Sequence, residues 1–225
     1  VKVADPGQSL ADDIARVEAV RDALGPAGRV RIDVNGLWAV DQAIAGIRVL
    51  DSAAGGLEYV EQPCLTVEEL AEVRRKVDVP IAADESIRRA ADPYRVRDLE
   101  AADVAVLKVQ PLGGVRACLR IAEDIGLPCV VSSALETSVG MAAGIALAAS
   151  LPELPYACGL GTVSMFTEEI AATSLLPSGG VLPVLPVSPV PERLIAEPGL
   201  RASPERTEFW QRRLADVLAY RETLR

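Results

Sequence analysis

The sequence predicts an α/β fold built on a parallel sheet, and two observations predict it. Short β-branched runs alternate with longer stretches of helical spacing at intervals of roughly 20–30 residues, the pattern of repeated βαβ units. The runs are apolar almost throughout rather than alternating, so both faces of the sheet should be covered. A closed (β/α) barrel and an open doubly wound sheet both meet these conditions. No Gly-x-Gly-x-x-Gly follows the first run, which counts against the dinucleotide-binding form of the open sheet.

Taken in order, the predicted strands are the end of one at Val1–Ala4, then Val30–Val34, Leu57–Glu61, Pro80–Asp84, Val104–Lys108 and Pro128–Ser132, with a weaker one near Pro155–Cys158. Between them, Ser9 can cap a helix over Leu10–Leu24, whose first turn holds Asp12 and Asp13 where the helix dipole favours anions. Thr66 and Glu69 form a capping box for a helix to Lys76. Asp92-Pro93 starts another helix, Val115–Ile125 stops at Gly126, and Ser203-Pro204 opens a last amphipathic helix to about Leu224. Seven strands, the first already under way at Val1, fall one short of a barrel of eight. The expectation is therefore one domain over residues 1–225, incomplete at its N-terminal side, with 177–225 an irregular Pro- and Gly-rich segment followed by the final helix.

Composition narrows the classes of partner. The 225 residues are 50% hydrophobic and 24% charged, with only 4% aromatic, so the core must come from Val, Leu, Ile and Ala. A net charge of −9 argues against nucleic acid, whose phosphates need a basic surface. The longest strongly apolar run, Val139–Leu151, is too short to span a bilayer. The four cysteines, Cys64, Cys118, Cys129 and Cys158, show no metal-ligand spacing and read as buried hydrophobes in a reducing cytoplasm.

The informative feature is where charges interrupt the apolar runs. Lys2 lies in the first, and Asp33, Glu61, Asp84 and Lys108 end the next four. Each alone reads as well as a cap or turn residue; Asp33 could simply start an Asx-turn into Asn35-Gly36. In a parallel barrel, however, the carboxyl ends of all strands open on one face, where the five would converge. Three carboxylates in a chain with no histidine make a hard oxygen site, suited to Mg²⁺ with Mn²⁺ as a substitute. A lysine beside a dication and a second ammonium has its pKa lowered toward that of a useful base.

These segments resemble a known family. Asp33-Val34-Asn35-Gly36, Glu61-Gln62-Pro63 and Asp84-Glu85-Ser86 resemble the three metal-ligand segments of the enolase superfamily, and Leu107-Lys108-Val109 is similar to the sixth-strand lysine segment of its muconate-lactonizing subgroup. The resemblance implies the closed barrel, Mg²⁺ held by Asp33, Glu61 and Asp84, and Asn35 and Glu85 as supporting groups. It makes Lys2 and Lys108 the catalytic pair, Lys2 matching the second lysine of a Lys-x-Lys motif. It also implies an N-terminal capping domain and a first barrel strand, neither found in this chain; the capping segment is expected to pack on the barrel, and this chain alone to be poorly stable or inactive.

Within the subgroup, Ser132–Ser138 and Gly159–Thr162 are similar to the o-succinylbenzoate synthase family, in which a small carboxylate substrate is dehydrated. The resemblance makes Lys2 the base and then the acid, and Lys108 a cation facing the intermediate. Ser132 and Ser133 would touch substrate carboxylates, although they read equally well as strand-end caps. Racemases, dipeptide epimerases and muconate-type cycloisomerases of the same subgroup share the two lysines and remain alternatives, as does a non-catalytic barrel.

Overall fold

The computed structural model describes residues 1–88, 92–196 and 202–223. Five strands form one parallel sheet in sequence order: β1 (Val30–Asp33), β2 (Leu57–Glu61), β3 (Ile81–Ala83), β4 (Val104–Leu107) and β5 (Cys129–Val131). Isolated parallel bridges extend it at both edges, Lys2 to Asp33 and Ser132 to Gly159. Helices α1 (Leu10–Leu24), α2 (Val40–Ala54), α3 (Val67–Arg74), α4 (Asp92–Asp98), α5 (Val115–Ile125) and α6 (Ser138–Ser150) alternate with the strands; α7 (Pro191–Ala196) and α8 (Pro204–Thr223) follow.

Local chemistry accounts for most boundaries. Ser9 and Asp12 exchange side-chain and backbone hydrogen bonds at the start of α1, and Thr66 and Glu69 do the same for α3. α2 and α5 end on glycines in the left-handed conformation, Gly55 and Gly126, where a side chain would be strained. α6 carries no charged side chain and packs much of its surface against the sheet and α5, as an all-apolar helix must.

The sheet has two buried faces. Val60, Ile81, Ala83, Ala105, Leu107, Cys129 and Val131 belong to a large core shared with the helices. Tyr59, Ala82, Val104, Val106 and Val130 form a second, smaller cluster, with Tyr156 and Cys158 packed on it. The second cluster is interior to a curled sheet. The Tyr59 and Tyr156 rings meet edge to face at 5.4 Å, and Arg31 donates to the Ala157 carbonyl at 2.7 Å, linking β1 to the far edge. The alternation of inner and outer side chains every second residue is thus set by the pleat, and apolar residues on both sides explain the unbroken apolar runs.

Several expectations need correction. Val1–Ala4 contributes a single bridge at Lys2, and Pro155–Cys158 forms no strand, the bridge there falling on the next residue, Gly159, so the regular sheet has five strands, not seven. β3 and β5 are trimmed at both ends relative to the apolar runs, partly because Pro80 and Pro128 offer no N–H to the ladder. α3 stops at Arg74, and α2 and α6 are helices that the caps alone did not reveal. Asp103 accepts hydrogen bonds from the Ile81 N–H and Arg74 at 2.9 Å each and clamps the start of β3 to β4. Cys158 is only half-buried, whereas the other three cysteines are buried; all four are unpaired. Among the described residues α8 buries no side chain and exposes Phe209, Trp210 and Leu214. The end of that helix at Leu224 lies outside the described residues.

Candidate active site at the carboxyl ends of the strands

Strand geometry decides which side chains share the interior. Tyr59, Ala82, Val106 and Val130 face inward, and two residues further along each strand lie Glu61, Asp84, Lys108 and Ser132. On β1 the inward residue is Arg31, whose guanidinium lies 4.7 Å over the Tyr59 ring, and two residues on is Asp33. Asp33 and Glu61 are register partners across β1 and β2. Asp33, Glu61 and Ser132 line one cavity of about 370 Å³ with Val106, Val130 and Gly159.

The charges are interlocked. Lys2 donates from Nζ to Asp33 Oδ2 and, at 2.8 Å, to Asn35 Oδ1. Lys108 donates from Nζ to Asp84 Oδ2. Asn35 Nδ2 donates to Glu85 Oε1 at 3.2 Å, so both expected supporting residues join the cluster. Asp33 Oδ1 accepts the Asn35 N–H at 2.9 Å, the Asx-turn that the sequence allowed for Asp33. Glu61 is the most perturbed member. Burial, then the negative charges of Asp33 and Asp84, push its carboxyl up to about 8 despite Lys108 and Lys2.

Two further residues build the site. Gln62 is fully buried, and its Oε1 accepts the N–H groups of Asp84 (3.0 Å) and Ser86 (3.1 Å). Its Nε2 donates to Cys64 O and Ser86 Oγ at 2.9 and 2.8 Å. Four bonds hold it at φ 40°, an unfavourable conformation for a residue with a side chain, and fix the turn that presents Asp84. The second is Arg88, which grips Asp84 through Nε (3.2 Å) and Nη2 (2.7 Å) and Glu85 through Nη2 (3.1 Å). A glutamine between an acid and a proline was the available signal for Gln62. Nothing in the spacing marks Arg88, whose reach depends on the short 3₁₀ turn at Glu85–Ile87.

Whether these residues suit a cation can be judged from the donors. Among the described residues no three acidic, cysteine or histidine side chains converge, as they stand, into a ligand cluster. Asp33 and Asp84 are turned onto ammonium and guanidinium groups instead. The chemistry nevertheless fits a hard divalent ion: the donors are all oxygen, Glu85 Oε2 is buried without a partner among the described residues, and the repulsion that adds to burial in raising Glu61 is what a cation between the carboxylates would relieve. Ser133 Oγ bonds Thr162 Oγ1 at 2.8 Å at the edge of the same face.

Comparison with known proteins bears on this arrangement. A family model described as "Enolase C-terminal domain-like" matches residues 1–200. The chain is 67% identical to an o-succinylbenzoate synthase of Thermobifida fusca, over 97% of this chain and 67% of that protein. It is 57% identical to one of Mycobacterium tuberculosis, over 93% of this chain and 62% of that protein. Among solved structures, a muconate cycloisomerase from Pseudomonas fluorescens superposes with a TM-score of 0.78 at 30% identity, over 87% of this chain and 56% of that one. The L-Ala-D/L-Glu epimerase of Bacillus subtilis does so with a TM-score of 0.73 at 30% identity, over 84% and 53%. The chain thus spans about two thirds of the length of these curated relatives and about half that of these solved structures.

Proposed function

The chain belongs to the enolase superfamily, and on that premise we propose that it is the catalytic barrel of an o-succinylbenzoate synthase. The reaction is the dehydration of 2-succinyl-6-hydroxy-2,4-cyclohexadiene-1-carboxylate to o-succinylbenzoate and water, a step of menaquinone synthesis. The observation that carries the reading is the cluster itself: acids on consecutive inward strand ends, with one lysine on the Asp33 side and another on the Asp84 side.

In this reading Asp33, Glu61 and Asp84 hold Mg²⁺, with Mn²⁺ able to replace it, and when bound it supplies positive charge to the substrate carboxylate as the α-proton leaves. Lys2 takes that proton and, as an ammonium on the same face, returns it to the departing hydroxyl group as water forms. Lys108 faces the opposite side and stabilises the developing negative charge. Asn35 and Glu85 steady Lys2 and each other, and Arg88 and Gln62 keep Asp84 aimed inward. Ser132 and Ser133 meet the substrate carboxylates. A cytoplasmic setting suits the four free cysteines, and no described helix is long and apolar enough to cross a membrane.

The test is the appearance of aromatic product absorbance with the cyclohexadiene substrate. Assayed together with the capping domain that the resemblance implies, the protein should be inert after chelation and recover with Mg²⁺. Exchange of the α-proton of N-acylamino acids or dipeptides with solvent, without any aromatisation, would assign the chain to the racemase or epimerase reading instead.

A further inference from the structure

The carboxylate of Glu169 ties its own stretch of chain to the start of α6. Its Oε2 accepts the Ser138 N–H at 2.8 Å and the Ser138 hydroxyl at 2.5 Å. Its Oε1 accepts the N–H groups of Ile170 (2.8 Å) and Ala171 (3.3 Å). Ser138 Oγ in turn accepts the Leu175 N–H at 2.9 Å, and Ser138, Ala171 and Leu175 are all buried. Arg193 closes the other side by donating to the carbonyls of Glu169 (3.1 Å) and Ala171 (2.9 Å). Burial alone would push Glu169 up, but the hydrogen bonds from Ser138, Ile170 and Ala171 outweigh it and hold the carboxyl below its usual range.

This junction sits where α6 begins. Thr137 precedes α6 without a side-chain cap, so the first turn takes its cap from Glu169, about thirty residues downstream. The segment between the end of β5 and that cap is Ser132–Thr137. It contains both serines assigned to the substrate edge, and it holds Leu135 in a left-handed conformation with φ 66°. Ser133 is tied from the other side by its N–H to Gly159 O at 3.0 Å and its hydroxyl to Thr162. The loop is therefore suspended between the sheet and a single half-buried carboxylate.

We propose that Glu169 is a positioning residue for substrate recognition: by capping α6 through Ser138 it sets the geometry of Ser132 and Ser133, which the proposed function assigns to the substrate carboxylates. Glu169→Gln retains the shape but must turn an NH₂ group toward either Ser138 or the Ile170 and Ala171 amides, breaking one half of the junction. The expected result is a rise in KM for the cyclohexadiene dicarboxylate of about tenfold with kcat within about twofold, the pattern of lost binding rather than lost chemistry. Backbone hydrogen exchange should accelerate at residues 133–138 and stay unchanged in β1–β4. Ser138→Ala, which removes only the hydroxyl bridge, should shift both readouts in the same direction and serves if Glu169→Gln folds poorly. A fall in kcat at constant KM, or exchange unchanged at 133–138 in both variants, overturns the proposal. Absence of dehydration by the unmodified protein would instead count against the proposed function, leaving the exchange measurement to decide the role of Glu169.

Discussion

The two ends of the same inner strand face carry charge in opposite ways. At the amino end, Arg31 bonds Glu58 at 2.7 Å, the Tyr59 hydroxyl at 2.8 Å and the Ala157 carbonyl, and lies over the Tyr59 ring, while Arg29 approaches Glu58 from outside. Each group there has an opposite or neutral partner. At the carboxyl end Glu61 is buried beside the charges of Asp33 and Asp84, and burial first, then that repulsion, raises its carboxyl although Lys108 and Lys2 oppose it. The balanced end reads as structure, and the end where a carboxylate is kept buried beside like charge is where the proposed chemistry lies, because such a cost is tolerated where something beyond stability is gained from it.

Substitutions at the two ends should therefore separate activity from stability. The largest effect is expected from Lys108→Ala, which should cut turnover by about 10³-fold or more while the thermal midpoint moves little, since the loss is local and electrostatic; steady-state kinetics beside a melting curve checks both. At the other end, Arg31→Met should cost on the order of 2–3 kcal/mol in denaturant unfolding, because it leaves the buried Glu58 carboxylate with only the solvent-exposed Arg29, 3.6 Å away. An unfolding midpoint equal to that of the unmodified protein would remove the distinction drawn between the ends.

Gln62→Leu should cost about 2 kcal/mol or more, since the buried N–H groups of Asp84 and Ser86 lose their acceptor. It should also weaken Mg²⁺ binding measured by calorimetry, through misplacement of Asp84. Glu61→Gln should do the reverse for stability when metal is chelated. A carboxyl raised from its ordinary value to about 8 burdens the fold increasingly as pH rises between the two. The amide should therefore gain on the order of 1–2 kcal/mol at pH 9 and nothing near pH 4, at the cost of all metal-dependent turnover. The smallest effect concerns Glu169, whose carboxyl is depressed. Its contribution is present above the ordinary carboxylate range and is lost as pH falls through its lowered value. Brief pepsin treatment should cut residues 166–190 more readily in acid than at pH 5, and Glu169→Gln should flatten that dependence.

Much of this site was legible because pleat and pattern leave few choices. An acid or lysine ending an otherwise apolar strand must face one of two buried sides, and Asp33, Glu61, Asp84 and Lys108 share the inward one with Tyr59, Ala82 and Val106. Caps such as Ser9 with Asp12 and Thr66 with Glu69 act over three residues and could be read directly. α2 and α6 were not marked as helices because neither opens on a side-chain cap: Ala39 precedes one, and the other borrows Glu169.

The sequence by itself determined the alternation of strand and helix, the two-sided burial of the sheet and the polar residues at its strand ends, all of which depend on neighbours a few residues apart. Only the tertiary structure decided that Arg88 grips Asp84, that Gln62 secures the turn behind it, that Asp103 clamps β3 to β4, and that Glu169 caps a distant helix. The physical reason is that hydrogen bonds and ion pairs act over about 3 Å and depend on where the chain returns, which no local pattern of residues encodes.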